Sequence, residues 1–224
     1  GAIQEGTVSE GRVKKNEKLL IKSLTNLGIS NDEAKQYRDV YKGNVFLDKT
    51  KGEVHIGEVI ELVLDAFEQV MDAGPLAREP CTRLKISLED IKLHEDAIHR
   101  GPAQVYPAVR DAIYTAMEQA GRRLLEPVQI HEIDSPAEMM PEVTKLVSSK
   151  RGQIIDVKQE NDTSSVIGKM PVAEMLGWSN DLRSATEGRG VSALKDQMFE
   201  TTPLELQASV VRNIRSRKGL SENQ

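Results

Sequence analysis

Gln153-Ile154-Ile155-Asp156-Val157-Lys158-Gln159-Glu160-Asn161-Asp162-Thr163-Ser164-Ser165-Val166-Ile167-Gly168-Lys169-Met170-Pro171-Val172 decides the fold of the half of the chain that holds it. Gln153–Gln159 and Ser164–Val172 have the length and β-branched content of strands, and Glu160-Asn161-Asp162-Thr163 between them is a hairpin signal. Upstream, Val128 to Ile133 is strand-like. Ser135-Pro136 then introduces a helix bearing Met139, Met140, Val143, Leu146 and Val147, closed by Lys150-Arg151-Gly152. Pro141 fits there only in the first turn, where no intrahelical N–H is needed. Downstream come a helix from about Leu176 to Glu187 and a strand near Val191 to Met198. The order is βαββαβ, the split βαβ arrangement of ferredoxin-like domains. Thr202-Pro203 begins a last helix with Leu206, Val210, Val211 and Ile214, ending at Gly219.

Working back toward the N-terminus, Glu126-Pro127 starts a new pattern, so a domain boundary is expected near Leu125. Before it, Leu19, Leu20, Leu24 and Leu27 recur at helical spacing, with Gly28 as C-cap. Ser30-Asn31-Asp32-Glu33 opens a short helix expected to reach about Tyr37, its two acids suiting the positive end of the dipole. Asn44–Asp48 reads as a strand. Glu53 to Met71 is a helix whose Val54, Val59, Leu62, Val63, Ala66, Phe67 and Val70 form a wide apolar stripe, stopped by Asp72-Ala73-Gly74-Pro75. Leu84, Ile86, Leu88 and Ile91 alternate with polar residues, so a half-buried strand is expected from about Leu84 to Leu93. A helix from about Ala103 follows, carrying Val105, Ala108, Val109, Ala112, Ile113, Ala116 and Met117, and Gly121 closes it. The fold class is α+β in two domains, 1–124 and 125–224.

The 224 residues are 38% hydrophobic and 29% charged, as in a polar globular protein, and only 4% aromatic, so the cores must be mostly aliphatic. A formal charge of −5 leaves nucleic-acid binding to local basic patches. The single Cys81 excludes an intramolecular disulfide and reads as a small apolar filler. No apolar run approaches the ~18 residues of a membrane helix, and no signal peptide is evident. A cytoplasmic monomer with no membrane contact is expected.

Chemistry concentrates in Leu93-His94-Glu95-Asp96-Ala97-Ile98-His99-Arg100-Gly101-Pro102-Ala103-Gln104. His94-Glu95-x-x-x-His99 is one residue longer than the zinc-protease HExxH, whose histidines share a helix face at i, i+4. At i+5 a helix would turn the rings about 140° apart. A zinc hydrolase therefore rests on two histidines alone, and no metal ligand set is assigned. No P-loop is present: Ile167-Gly168-Lys169-Met170 lacks both the upstream glycine and the hydroxyl. Arg122-Arg123, Lys150-Arg151 and the group Arg212, Arg215, Arg217 and Lys218 fall at helix C-termini, where the dipole alone favours cations. Their repetition also suits a phosphate-binding face, with Lys150, Arg151, Arg212, Arg215 and Lys218 as candidate nucleic-acid contacts. The second-half strands contain no Phe, Tyr or Trp, so the stacking platform of an RNA-recognition sheet is missing, and RNA would be met through backbone and shape.

Asp96-Ala97-Ile98-His99-Arg100-Gly101-Pro102-Ala103-Gln104 resembles the diphthamide loop of the elongation factor 2 family. Eukaryotic members have glycines where Pro102 and Ala103 stand, so the resemblance is to archaeal members. It extends through Asp72-Ala73-Gly74-Pro75-Leu76-Ala77-Arg78-Glu79-Pro80, Leu125-Glu126-Pro127, Lys150-Arg151-Gly152, Asp181-Leu182-Arg183-Ser184-Ala185-Thr186 and Arg217-Lys218-Gly219-Leu220.

The resemblance implies that 1–124 is most of domain IV, similar to the second domain of ribosomal S5 and starting inside it, and that 125–224 is the ferredoxin-like domain V. A start inside the domain implies a chain cut from a longer protein or a sheet with an open edge. The resemblance further implies a part in ribosomal translocation of tRNA and mRNA, with the loop entering the decoding site. His99 would become diphthamide, and Asp96, Arg100, Gly101, Pro102 and Gln104 would present it. The implied partners are the ribosome, with its rRNA and tRNA–mRNA, and the diphthamide-synthesis enzymes. GTP and magnesium would belong to a G domain outside this chain, so no cofactor and no enzymatic activity are expected of it. The alternative is a stand-alone RNA- or ribosome-binding module built on the basic clusters.

Overall fold

The computed structural model describes residues 2–3, 5–13, 17–51 and 56–221. It divides into two compact units, Gly1–Arg122 with Val210–Gln224, and Arg123–Ser209. Each is α+β around one four-stranded sheet, the fold class expected. Val210–Gln224, placed with 125–224 by the sequence reading, groups with the first unit instead. Arg215 and Lys218 hold it there by donating to the Leu76, Ala77 and Arg78 carbonyls.

The first unit's sheet has the order β1 (Gly11–Arg12), β2 (Tyr37–Tyr41), β3 (Asn44–Asp48), β4 (Lys85–Leu88). Strands β1, β2 and β3 are antiparallel; β3 and β4 are parallel because helix α3 (Ile56–Asp72) makes the crossover between them. Alternation along β3 sends neighbouring side chains to opposite faces. Phe46 meets Phe67 of α3, ring centroids 5.2 Å apart, in a core with Val59, Val63, Val70 and Met71. Leu47 faces the other way, toward Leu20 and Leu24 of α1 (Lys18–Asn26) and toward Tyr37 and Val40. Helix α4 (Pro102–Gln119) joins the Phe46 side through Val105 and Ile113.

Three boundaries differ from expectation. Ser30 does cap α2 (Asn31–Ala34), accepting from Glu33 N at 3.2 Å, but the helix ends at Ala34. Tyr37–Tyr41 is a strand instead, joined to β3 by Lys42-Gly43 with both φ angles positive, the backbone of a type I′ hairpin turn. Strand β4 is four residues rather than ten, because β3 ends at Asp48 and offers no further partner, although Ile91 and Leu93 still pack on the same core. Ala108, Ala112 and Ala116 are exposed, so α4 buries a narrower face than its alanines suggested. The expected start of α3 at Glu53 lies outside the described residues. Cys81 is partly buried, with its Sγ 3.6 Å from Val70 O, and burial pushes its pKa up to about 11.

The second unit runs β5 (Leu125–Pro136), α5 (Met140–Ser149), β6 (Gln153–Glu160), β7 (Thr163–Pro171), α6 (Trp178–Ala185), β8 (Val191–Thr201); the last helix, α7 (Leu204–Arg217), starts in this unit, and its residues from Val210 group with the first. The sheet order β6-β7-β5-β8, antiparallel throughout, is the ferredoxin-like topology. One sheet face packs on α5 and α6: Ile133, Val166 and Met170 meet Val143, Val147, Trp178 and Leu182. Pro141 sits in the first turn of α5, where its missing N–H costs nothing. Strand β8 runs three residues beyond Met198 and so contains Phe199, which corrects the aromatic-free reading of these strands. Among the described residues no helix is long and apolar enough to cross a membrane.

Asp39 on β2 is wholly buried, and neither carboxylate oxygen is hydrogen bonded. Burial first, then the charge of Glu68, push its pKa up to about 6. Arg12, from edge strand β1, is committed to α3, with Nε 2.9 Å from Glu68, Nη1 2.6 Å from Glu61 and Nη2 bonded to Asp65. An unfolded aspartate titrates near 4, so the folded chain holds the Asp39 proton more tightly. Its contribution to stability is full below about pH 4 and is lost as pH rises through about 6. Asp39→Asn is therefore expected to be about 2–3 kcal/mol more stable than the wild type at pH 7.5 in urea titrations, with the gain gone by pH 4. An equal gain at both pH values would contradict a cost of buried charge.

Candidate functional site

The segment after β4 is anchored at both ends and exposed between them. Ile91 and Leu93 pack on the α3–α4 core, Val105 is buried at the start of α4, and His94 through His99 are all exposed. Asp96 builds the turn: its Oδ1 accepts from Ile98 N at 3.1 Å and caps one 3-10 turn, Ala97–His99. His99 N donates to Asp96 O, and Arg100 N to Ala97 O, closing it. His94 Nδ1 accepts from Asp96 N at 3.0 Å, so that nitrogen carries no proton. The His94 and His99 rings meet edge to face, with centroids 4.6 Å apart.

His99 and Arg100 are turned in opposite senses. The Arg100 side chain is 9% exposed, with Nη2 3.1 Å from Glu58 of α3, and its Nε and Nη1 are buried without a hydrogen-bond partner. Arg100 is thus an internal post, and Ile98 at 75% exposure and His99 are what the loop shows to solvent. Gly101 is the N-cap of α4 in ordinary extended backbone, and Pro102 occupies the first turn. The break there comes from proline's fixed φ and missing donor, not from a left-handed glycine. Gln104 is exposed on that first turn, its N–H bonded to Gly101 O. The two histidines meet because the segment is a loop, whereas a helix would have kept them apart. Among the described residues no three His, Cys, Asp or Glu side chains are grouped to hold a metal ion.

Of the candidate contacts Lys150, Arg151, Arg212, Arg215 and Lys218, all but Arg212 are engaged within their own units. Lys150 pairs with Asp181 at 2.7 Å. Arg151 makes a two-pronged bond to the Glu126 carboxylate, at 3.2 and 2.9 Å, and reaches Glu174 at 2.8 Å. Arg151 also has φ +55°, standing where helices usually place glycine, while Gly152 N bonds Val147 O to close the α5 cap. A Cβ on residue 152 would lie 2.5 Å from Val147 O, so the glycine is needed one position later, for space. Arg215 is buried, donating to Leu76 O and Ser221 O, and Lys218 donates to Ala77 O and Arg78 O and pairs with Glu79. Arg212 is exposed, with no hydrogen bond or ion pair among the described residues. Sequence reading missed Glu58 as the partner of Arg100, and nothing local could have shown it, since the two are joined only by the fold.

A family model described as "Elongation factor G, domain IV" matches residues 6–121, and one described as "Elongation factor G C-terminus" matches residues 123–210. Elongation factor 2 of Nanoarchaeum equitans is 51% identical over 218 residues, covering 97% of this chain and 29% of that protein. The Pyrococcus furiosus protein of that name is 46% identical over 222 residues, covering 99% and 30%. That of Methanosphaera stadtmanae is 47% identical over 220 residues, covering 98% and 30%. The chain thus spans less than a third of the length of these curated relatives.

Glu58→Gln is expected to loosen the loop. Because Glu58 is half exposed, its loss should cost only about 1 kcal/mol, yet hydrogen exchange at the Ile98, His99 and Arg100 amides should speed up; unchanged exchange would show that Arg100 holds the loop without it. Arg151→Ala should cost about 3 kcal/mol in urea titrations, because it strands the nearly buried Glu126 carboxylate. A cost below 1 kcal/mol would return Arg151 to the surface cations.

Proposed function

Because the chain belongs to the elongation factor G family, through its domain IV and C-terminal parts, we propose that it is the ribosome-facing portion of an archaeal-type elongation factor 2. The chain holds no GTPase domain. Its contribution to translocation is mechanical: it sets a shaped loop against RNA while GTP is hydrolysed elsewhere in the full-length protein. Partners on this reading are the ribosome, with rRNA and the tRNA–mRNA pair at the decoding site, and the enzymes that build diphthamide.

The observation that carries the reading is the division of labour in the loop. His99 is exposed on a turn closed by Asp96, and the neighbouring Arg100 is turned inward onto Glu58. An imidazole presented this way is accessible to a modifying enzyme, and a cationic extension grown from it would lie next to RNA phosphates rather than in the protein core. His94 supports the turn through Asp96 N and is not the modified residue. Asp96, Arg100, Gly101 and Pro102 shape the loop, and Gln104 is exposed beside it. Of Lys150, Arg151, Arg212, Arg215 and Lys218, Arg212 alone has no side-chain partner among the described residues, so it comes first as a candidate for an rRNA contact.

Co-expression with the diphthamide-synthesis enzymes, followed by intact mass measurement, tests the assignment. The wild-type chain and His94→Ala should gain the mass of the modification, and His99→Ala should not. A gain that persists in His99→Ala would place the modification elsewhere.

A further inference from the structure

Helix α4 carries Tyr106, Arg110 and Tyr114 at successive i, i+4 positions, one stripe along a single helix face. With Gln69 of α3, Ala73 just past its end and Arg78 from the turn that follows, the stripe lines a groove of about 210 Å3 within the first unit. That volume is below the usual range for whole small-molecule ligands, but suits a single flat ring. Both tyrosines are partly buried, and their hydroxyls are used inside the unit: Tyr106 donates to Asp65 at 3.1 Å and Tyr114 to Ala73 O at 3.1 Å. What they leave for the groove is ring carbon.

The two arginines supply charge at its rim. Arg78 is exposed, and its guanidinium has no hydrogen bond or ion pair among the described residues. Its backbone is held at φ +50°, a conformation that non-glycine residues rarely adopt. Arg78 N bonds Gly74 O, and Lys218 takes the Arg78 and Ala77 carbonyls, so the turn is fixed by groups that leave the side chain alone. Arg110 gives only its Nε to Asp111, at 2.9 Å. Of the carboxylates on neighbouring segments, Asp72 pairs with Lys42 and Glu79 with Lys218, while Asp65 shares Arg12 with Glu61 and Glu68. The groove therefore joins aromatic carbon to the free Arg78 guanidinium and to the Arg110 nitrogens not bonded to Asp111, groups of the kind that bind unpaired bases together with their phosphates.

We propose that this groove binds one unpaired nucleotide of a single-stranded RNA segment, its base against Tyr106 or Tyr114 and its flanking phosphates on Arg78 and Arg110. The proposal rests on the reading that the chain works against RNA, and it adds a contact on the α3–α4 face, separate from the His99 loop.

Fluorescence anisotropy of a labelled pentauridylate titrated with the full chain at low salt tests it. Arg78→Gln combined with Arg110→Gln should weaken binding about tenfold or more, and should lower the slope of log affinity against log salt by about 1.4, the loss of two single-strand phosphate contacts. Lys22→Gln combined with Lys145→Gln, two exposed lysines far from the groove in sequence, should leave both quantities unchanged. Ultraviolet irradiation of the wild-type complex should crosslink the RNA to Tyr106 or Tyr114, a readout that does not depend on any variant folding. Absence of binding by the wild type, an unchanged affinity in the arginine double variant, or crosslinks confined to other residues would each overturn the proposal. The mass measurement on His99 reads the loop and this titration reads the groove, so either reading can fail without the other.

Discussion

The first unit depends on one wholly buried amide. Asn44, at the start of β3, uses both ends of its side chain on backbone that would otherwise be unsatisfied. Its Nδ2 donates to the Tyr41, Lys42 and Cys81 carbonyls, and its Oδ1 accepts from Leu84 N. The first two bonds tie down the β2–β3 turn. The last two reach across to the chain that is about to become β4, and so set where β4 begins beside β3. A buried polar group with its bonds made is worth keeping, whereas one with its partners removed costs the full desolvation of each. Because the His99 loop starts just past the end of β4, the position of that loop is inherited from Asn44.

Charge in this molecule is mostly spent inward. Arg12, Arg100, Arg151 and Arg215 each hold together segments distant in sequence, using carboxylates or carbonyls that would be costly to leave bare. An arginine fork suits that task because its donors are fixed in one plane and match two acceptors at once. What the described residues leave for an external partner includes His99 and Ile98 on the loop, Arg212 on α7, and Arg78 beside the tyrosine stripe. A chain with net negative charge can still meet a polyanion through a local group of cations.

Much of the fold could be read from local pattern, and the exceptions share a cause. The ferredoxin-like order was legible because β6 and β7 flank a short polar turn, Asn161-Asp162, and because Pro141 and Gly152 bound α5. Strand β2 was hidden because Asp39 is buried in the middle of it, where an apolar residue would have completed the pattern. Helix α4 looked broader than it is because alanine favours helix on either face. At the site, the exposure of the His99 loop followed from its sequence, since its turn and caps are made by neighbours. The placement of basic residues at helix ends was also legible, but their engagement was not: Glu126, Leu76 and Glu58 are far along the chain. The Tyr106–Arg110–Tyr114 stripe carried a usable signal in its spacing, yet only α3 lying alongside turns it into a groove.

The strand order of the second unit also sets a timetable. β5 is synthesised first, but it lies at the centre of the sheet, between β7 and β8, and Leu125 pairs with Thr201. Until β8 has been made, β5 lacks one of its two neighbours, and closing so long a loop is entropically slow. The β6–β7 hairpin, by contrast, closes over a two-residue turn, so its pairing waits on no distant part of the chain. During synthesis the hairpin should therefore serve as the template onto which β5 docks, with β8 arriving last to complete the sheet.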